Sequence, residues 1–384
     1  MKILYHHRIA SKDGQYVHIE ELIRSLRLLG HELIVVEPAQ LTKKSFGKSS
    51  GTVQSLRSVL PGFVHEFIEF CYSFYDLFKL YSAIKKHKPD CIYERYNIFF
   101  VSGILAKKIF SLPLVLEINA PLFSERDKNH GIQLKGLAKW SENYVWKNAD
   151  CVLPVTSVLA DMVLAQGVNP EQCQVIPNGI NAEIFSDRKD GKEIREEFGL
   201  ENKLILGFVG FVRSWHRLDR VLSAIGQNRD KNWHLLLIGD GPAREALEHQ
   251  AAELGISEHV TFVGVVDRQE VADYVGAFDI ALQPDVVEYA SPLKLFEYMM
   301  LSKAILAPNR KNILEILSDG EDALLFDPND EGSFSSQLER LCASPELRLT
   351  LGAAARKTME DKKLFWDENA RKVTRIFENL ISKK

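Results

Sequence analysis

Short apolar runs of strand length alternate along the whole chain with stretches whose apolar residues recur at helical spacing. This is the pattern of parallel sheets covered by helices on both faces, because a strand buried on both faces reads as an unbroken apolar run. In the first half KILYHH, ELIVVEP, DCIYE, LPLVLEI and DCVLPV read as strands, with helical patterns at 16–29, around 62–87, at 97–109 and at 131–148. A second series opens at KLILGFVG and runs through HLLLIGD, HVTFVG, FDIALQP, KAILAP and ALLF, with helices at 217–228, 243–254, 268–276 and 292–301. The turn-rich, charged stretch 177–192 reads as the linker between them.

The chain of 384 residues is long enough for two such domains. The expected division is an N-terminal domain at 1–183, a C-terminal domain at 184–365, and a helix at 366–384 that packs back on the N-terminal domain. Sheets of this kind bind ligands beyond the carboxyl ends of their strands. Two in tandem are expected to hold a ligand between them.

Composition narrows the functional classes. Hydrophobic residues at 46% and charged residues at 26% fit an ordinary globular protein and exclude a disordered or fibrous one. The five cysteines are scattered with no CxxC pair, which argues against a disulfide framework or a structural zinc site and fits a reducing cytosol. The N-terminus lacks the apolar core of a signal peptide, and no run approaches a spanning helix, so a cytoplasmic protein is expected. Residues 1–185 carry 21 Lys and Arg against 18 Asp and Glu, and the remainder 27 against 34. A mildly basic, aromatic first half suits an anionic or membrane-surface partner. The aromatic pattern FVHEFIEFCYSFYDLF reads either as a core helix or, with the basic KKSFGK loop, as a peripheral contact at the inner membrane face. No dense basic stripe suggests nucleic acid.

The chemistry concentrates at Glu288-Tyr289-Ala290-Ser291-Pro292-Leu293-Lys294, followed one turn on by Glu297. Ser291 is a good N-cap and Pro292 suits a first helical position, so a helix is expected to start there. Ser291, Lys294 and Glu297 are spaced by three and share a face. A hydroxyl, an ammonium and unpaired helix amides make a diphosphate site, and the carboxylate suits ribose hydroxyls. An ordinary capped helix with a solvated Lys–Glu pair fits the same spacing. Arg213, His216 and Arg217 follow another strand, and Gly239-x-Gly241 forms a tight turn after a third. That turn lacks the third glycine of a dinucleotide fingerprint.

The ordered succession of GFVGFVRSWH, LLLIGDGP, VTFVG, FDIALQP, SPLKLFEYMMLSKAILAP and ILSDGEDALLF resembles the carboxyl half of family 4 retaining glycosyltransferases. The loop carrying Gly14, GHELIVVEP, DCVLPVTSVLADMVLAQGV and VIPNGINAEIF resemble the amino half. The resemblance covers nearly the whole chain and implies the GT-B fold, two Rossmann-like doubly wound domains facing across a cleft. It implies transfer of a sugar from a UDP- or GDP-sugar to a saccharide or lipid-linked acceptor, with no metal or other cofactor required.

It also implies roles for particular residues. Gly14, His216, Gly239, Gly241, Val265, Glu297 and the loop from Glu288 to Leu293 fall at donor-binding positions, and Arg213 and Lys294 lie on the leaving diphosphate. Asn119 stands where the family often carries a histidine beside the sugar, in the loop Glu117-Ile118-Asn119-Ala120-Pro121. Glu117 and Glu288 are candidate nucleophiles, and Glu117 is also a candidate general base. Glu125 is a candidate base, and His18 and Arg95 are candidates for acceptor contact. An ion pair with Arg95 or Arg126 is the structural alternative for Glu117 and Glu125. The family's paired-glutamate motif expects its first glutamate at Tyr289, one position beyond Glu288. An epimerase of the same fold, or a binding subunit without catalysis, is the alternative to a transferase.

Overall fold

The computed structural model describes residues 1–9, 14–38, 61–185 and 190–383. The KKSFGK loop lies outside these. The chain forms two units, one of residues 1–177 with 366–384, the other of 178–365.

In the first unit β1 (Lys2–His6), β2 (Glu32–Val36), β3 (Cys91–Arg95), β4 (Leu114–Ile118) and β5 (Cys151–Pro154) form a parallel sheet in the order β2-β1-β3-β4-β5. Its strands are apolar because helices bury them. One face carries Ile3, Tyr5, Tyr93 and Val115 against Ile19 and Leu22 of the helix Gly14–Leu28 and Val373 and Phe377 of the helix Trp366–Ser382. The second unit holds β6 (Leu204–Val209), β7 (Trp233–Ile238), β8 (Val260–Gly264), β9 (Ile280–Leu282), β10 (Ala304–Pro308) and β11 (Leu324–Phe326). They too are parallel, in the order β11-β10-β9-β6-β7-β8, with an apolar cluster on each face.

Three local departures from the sequence reading have physical causes. The helix expected at 131–148 runs from Lys135 to Asn148, and a further helix, Leu122–His130, comes before it. Leu122–His130 is too polar to show a stripe. The helix expected from 97 starts at Ser102, because buried Phe99 takes a left-handed φ of 68° that interrupts helical backbone. The stretch read as a linker is partly core: Phe185 is fully buried, and the Ile180 amide donates to the Leu364 carbonyl.

Register in the first sheet sets charges side by side. β1 and β3 align His6 with Glu94, and β3 and β4 align Arg95 with Glu117. His6 lies 2.7 Å from Asp76 through Nε2 and 2.7 Å from Glu94 through Nδ1. Asp76 also accepts from Arg8 at 3.0 Å and from the Ser102 hydroxyl at 3.1 Å. Burial opposes charge on His6, but hydrogen bonds to Asp76 and Glu94 outweigh it and raise its pKa to about 9.

The network therefore carries a pH signature. An unfolded His titrates near 6.5, so the folded chain holds the extra proton between about 6.5 and 9, and stability falls as pH rises through that window. Wild type should exceed a His6→Asn variant in unfolding free energy at pH 6.5, and the gap should shrink by at most about 3 kcal/mol by pH 9. Urea titrations at the two pH values measure it. A gap independent of pH would mean that His6 is neutral.

Candidate functional site

The second unit gathers positive groups at the carboxyl end of β6. After Val209 the chain turns at Gly210, whose φ of +134° suits glycine, and reaches the short turn Ser214–His216. The Arg213 amide donates to His216 Nδ1 at 3.3 Å, so the imidazole's hydrogen sits on Nε2. The Arg213 guanidinium lies over the rings of Phe211 and Trp215, at 4.6 and 4.8 Å. Lys294 comes from the first turn of the helix Leu293–Met300, and its ammonium sits 4.1 Å over the Phe208 ring. The His216 ring lies 5.2 Å from that same ring.

The electrostatics of this cluster are unfavourable without a ligand. Burial lowers the Lys294 pKa to about 7, with Glu297 pulling it back up. Burial, then Lys294 and Arg213, pushes His216 down to about 2, so its imidazole is neutral. The helix Leu293–Met300 has no acid in its first turn and no side-chain cap, so its positive dipole end faces the same region. Two cations, a neutral N–H donor and a helix N-terminus converge where an anion would be stabilised.

The expected capping is not what forms. Pro292, with φ −75° and ψ 117°, is the N-cap itself, one position before the first helical residue. Buried Ser291 does not cap the helix: its hydroxyl accepts the Asn178 amide at 3.1 Å, and its carbonyl accepts Asn178 Nδ2 at 2.6 Å. The distant asparagine outcompetes the local bond. The loop before the helix is pinned in the same way, by Asn312 Nδ2 on the carbonyls of Val287 and Ala290. Glu288 is exposed and pairs with Arg310 at 3.2 Å, while half-buried Tyr289 follows it in the turn.

Glu297 is buried, and its ion pair is with Arg268 rather than with Lys294. The Arg268 guanidinium also lies 5.1 Å from the Phe185 ring. Gly239 and Gly241 serve the loop packing. A Cβ at Gly239 would stand 2.0 Å from the Gly210 carbonyl oxygen, and one at Gly241 2.3 Å from that of Val212. Val265 follows β8 and is half exposed.

In the first unit Glu117, near the end of β4, is a hub. Its Oε1 accepts from Arg95 at 2.6 Å and from Asn119 Nδ2, and its Oε2 from Tyr93 at 2.6 Å and His18 at 2.9 Å. Trp366 closes over His18, with ring centroids 4.7 Å apart. Burial favours protonation, yet His18 and Arg95 hold the carboxyl far below the usual range. With both oxygens engaged and little proton affinity, Glu117 is suited to anchoring these side chains, not to attack or proton abstraction. The structural alternative for Glu117, an ion pair with Arg95, is the arrangement present; Arg126 pairs with Glu69. Glu125 stands apart from the hub, half-buried on the helix Leu122–His130. Gly14 opens the helix Gly14–Leu28.

Asn178, Arg268, Asn312 and Trp366 escaped the sequence reading. Each lies far along the chain from the group it holds, so no local spacing announces it. Among the described residues, no group of three or more His, Cys, Asp or Glu is placed to hold a metal ion.

Two doubly wound parallel sheets, the second with a cationic cluster at its strand ends, define an α/β protein of the GT-B class. Residues 12–184 match the profile described as Glycosyltransferase Family 4, and residues 190–358 that described as Glycosyl transferases group 1. The chain belongs to glycosyltransferase family 4. It is 24% identical over 241 residues to an uncharacterized glycosyltransferase of Methanocaldococcus jannaschii, covering 62% of this chain and 60% of that protein. It is 22% identical over 251 residues to alpha-D-kanosaminyltransferase of Streptomyces kanamyceticus, covering 64% and 65%. The match thus spans less than two thirds of either relative's length. Its fold is similar to that of Anabaena HepE in complex with UDP-glucose, with a TM-score of 0.77 at 16% identity over 99% of this chain and 100% of that one.

Proposed function

We propose that the chain is a retaining glycosyltransferase that moves a sugar from a UDP- or GDP-sugar to a saccharide or lipid-linked acceptor, at the cytoplasmic face of a membrane. The observation that carries this reading is the convergence of Lys294, His216, Arg213 and an uncapped helix N-terminus in the second unit. A nucleoside diphosphate supplies the negative charge this cluster lacks. HepE, a protein of the same fold, is known in complex with UDP and UDP-glucose.

As the bond between sugar and diphosphate breaks, negative charge grows on the leaving phosphate. Lys294 and Arg213 are the cations that stabilise it, and His216 Nε2–H and the first-turn amides donate to its oxygens. Glu297 takes the ribose hydroxyls, and Val265 and its neighbours meet the base. In the first unit Asn119, oriented by Glu117, contacts the sugar, and Glu125 is the base for the acceptor hydroxyl. His18 and Arg95 support this surface from behind through Glu117.

Purified protein heated with UDP, GDP, ADP and their sugars, with magnesium or with chelator, tests the reading. Wild type should melt higher with one nucleotide family, by an amount set by ligand concentration over Kd. No shift with any of them at millimolar concentration would overturn it. Glu297→Gln should weaken nucleotide binding roughly tenfold or more, because the hydroxyls lose a charged acceptor, at about 1.5–3 kcal/mol. Calorimetric titration with UDP and GDP reads this, and equal affinities would remove Glu297 from the site.

A further inference from the structure

The helix Gly62–His87 turns two polar side chains inward and leaves most of its aromatic ones outside. Its buried positions are Ser73, Asp76, Leu80 and Ile84, whereas Phe63, Phe67, Phe74, Phe78 and Tyr81 are 42–68% exposed. At about 100° per residue those five fall on one narrow stripe. The inward side is already committed: Asp76 to His6 and Arg8, and the Ser73 hydroxyl to the Val101 amide at 2.9 Å.

Ring contacts extend the stripe onto neighbouring helices. Phe74 meets Phe70 edge-on at 5.7 Å, Phe70 meets Trp140 at 6.2 Å, and Trp140 stacks on Tyr144 at 5.3 Å. On the other side Tyr81 meets Phe110 at 5.1 Å, next to exposed Ile109. A connected apolar surface of this kind marks an interaction site.

Charge selects the partner. Lys85 lies 5.8 and 5.7 Å over the Tyr81 and Phe110 rings, Lys108 lies 5.0 Å over Tyr144, and Lys86 is exposed. The acids of the same helix are engaged elsewhere. Glu66 accepts the amides of Gln133 and Leu134, Glu69 pairs with Arg126, and Asp76 is buried. What faces outward is an aromatic centre with a lysine fringe. Two copies brought face to face would set like charges together, whereas anionic headgroups attract the lysines while Tyr and Trp settle at the apolar boundary.

We propose that this face of the first unit docks on an anionic lipid bilayer. Among the described residues no helix is long and apolar enough to cross a membrane, so the contact is peripheral, with the helix lying along the surface. The proposal rests on the surface itself and not on the sugar-transfer reading, and nucleotide binding remains an independent readout.

Full-length protein is sedimented with phosphatidylcholine vesicles, with or without about one-third phosphatidylglycerol, at low and high salt. Wild type should bind the anionic vesicles at least about tenfold better, with the advantage lost in high salt. The double variants Phe74→Ser/Phe78→Ser and Lys85→Glu/Lys86→Glu should each lose about tenfold in binding while melting like wild type, since these side chains are exposed. Wild type that ignores anionic vesicles, or variants that bind as wild type does, would overturn the proposal. So would a wild-type dimer in sedimentation velocity that Phe74→Ser/Phe78→Ser separates, which would make a second copy the occupant.

Discussion

Lys294→Met is expected to raise the melting temperature of the ligand-free protein while cutting sugar transfer by about a hundredfold or more. Both effects come from one charge. The Lys294 ammonium sits in the first turn of a helix with no acid there, beside neutral His216 and against the Phe208 ring. An unfolded lysine titrates near 10.5 and this one near 7. Between those values the unfolded chain holds more protons, so stability rises with pH and the penalty is nearly complete by pH 7. Methionine keeps an apolar stem over Phe208 and removes the charge. A gain of roughly 2–4 °C is expected, equivalent to about 1 kcal/mol in units of this size.

The proposed diphosphate needs the charge on Lys294 that burial disfavours. With a diphosphate paired to the ammonium as proposed, binding above pH 7 must draw a proton onto Lys294. Wild-type affinity for UDP should then fall by up to about tenfold per pH unit, and the Lys294→Met profile should be flat. Normal turnover in the variant, or a wild-type affinity independent of pH, would place the diphosphate elsewhere.

Much of this cluster is legible in the sequence because it is local. The spacing from Ser291 through Lys294 to Glu297 lies within two helical turns, and β6 and β7 read as strands because both are buried on both faces. What the sequence hides is competition from a distance. Ser291 looks like a cap until Asn178, 113 positions away, takes its hydroxyl and carbonyl. Glu297 looks like a partner for Lys294 until Arg268 arrives from the loop after β8. The helix Gly62–His87 is plain from its periodicity, but its orientation is not. Periodicity alone would bury the aromatic stripe, and it is His6 and Arg8, remote in sequence, that draw Asp76 inward. The helix Leu122–His130 is invisible for the opposite reason: its polar residues leave no apolar stripe to read.

Apart from Asn119 two positions on, Glu117 draws its partners from such distances, and Glu117→Ala should cost about 3–5 kcal/mol of stability, because removing one member of a buried ionic cluster strands the others. His18 and Arg95 would keep their burial and lose their counter-charge, and the Tyr93 hydroxyl would lose its acceptor. Glu117→Gln should recover little of the loss, since its amide N–H groups would confront donors. The pH dependence separates charge from packing. The folded carboxyl titrates far below its unfolded value near 4.5, so its contribution is present above that pH and disappears as the solution is acidified below it. The gap between wild type and Glu117→Ala in urea titrations should therefore narrow from pH 7 to pH 4. A gap that stays constant would make Glu117 a packing residue. The same variant discriminates function from stability. Asn119 hangs from this carboxylate, so the folded fraction should transfer sugar more slowly while its second unit binds UDP as wild type does. Unchanged transfer per folded molecule would take Asn119 out of the reaction.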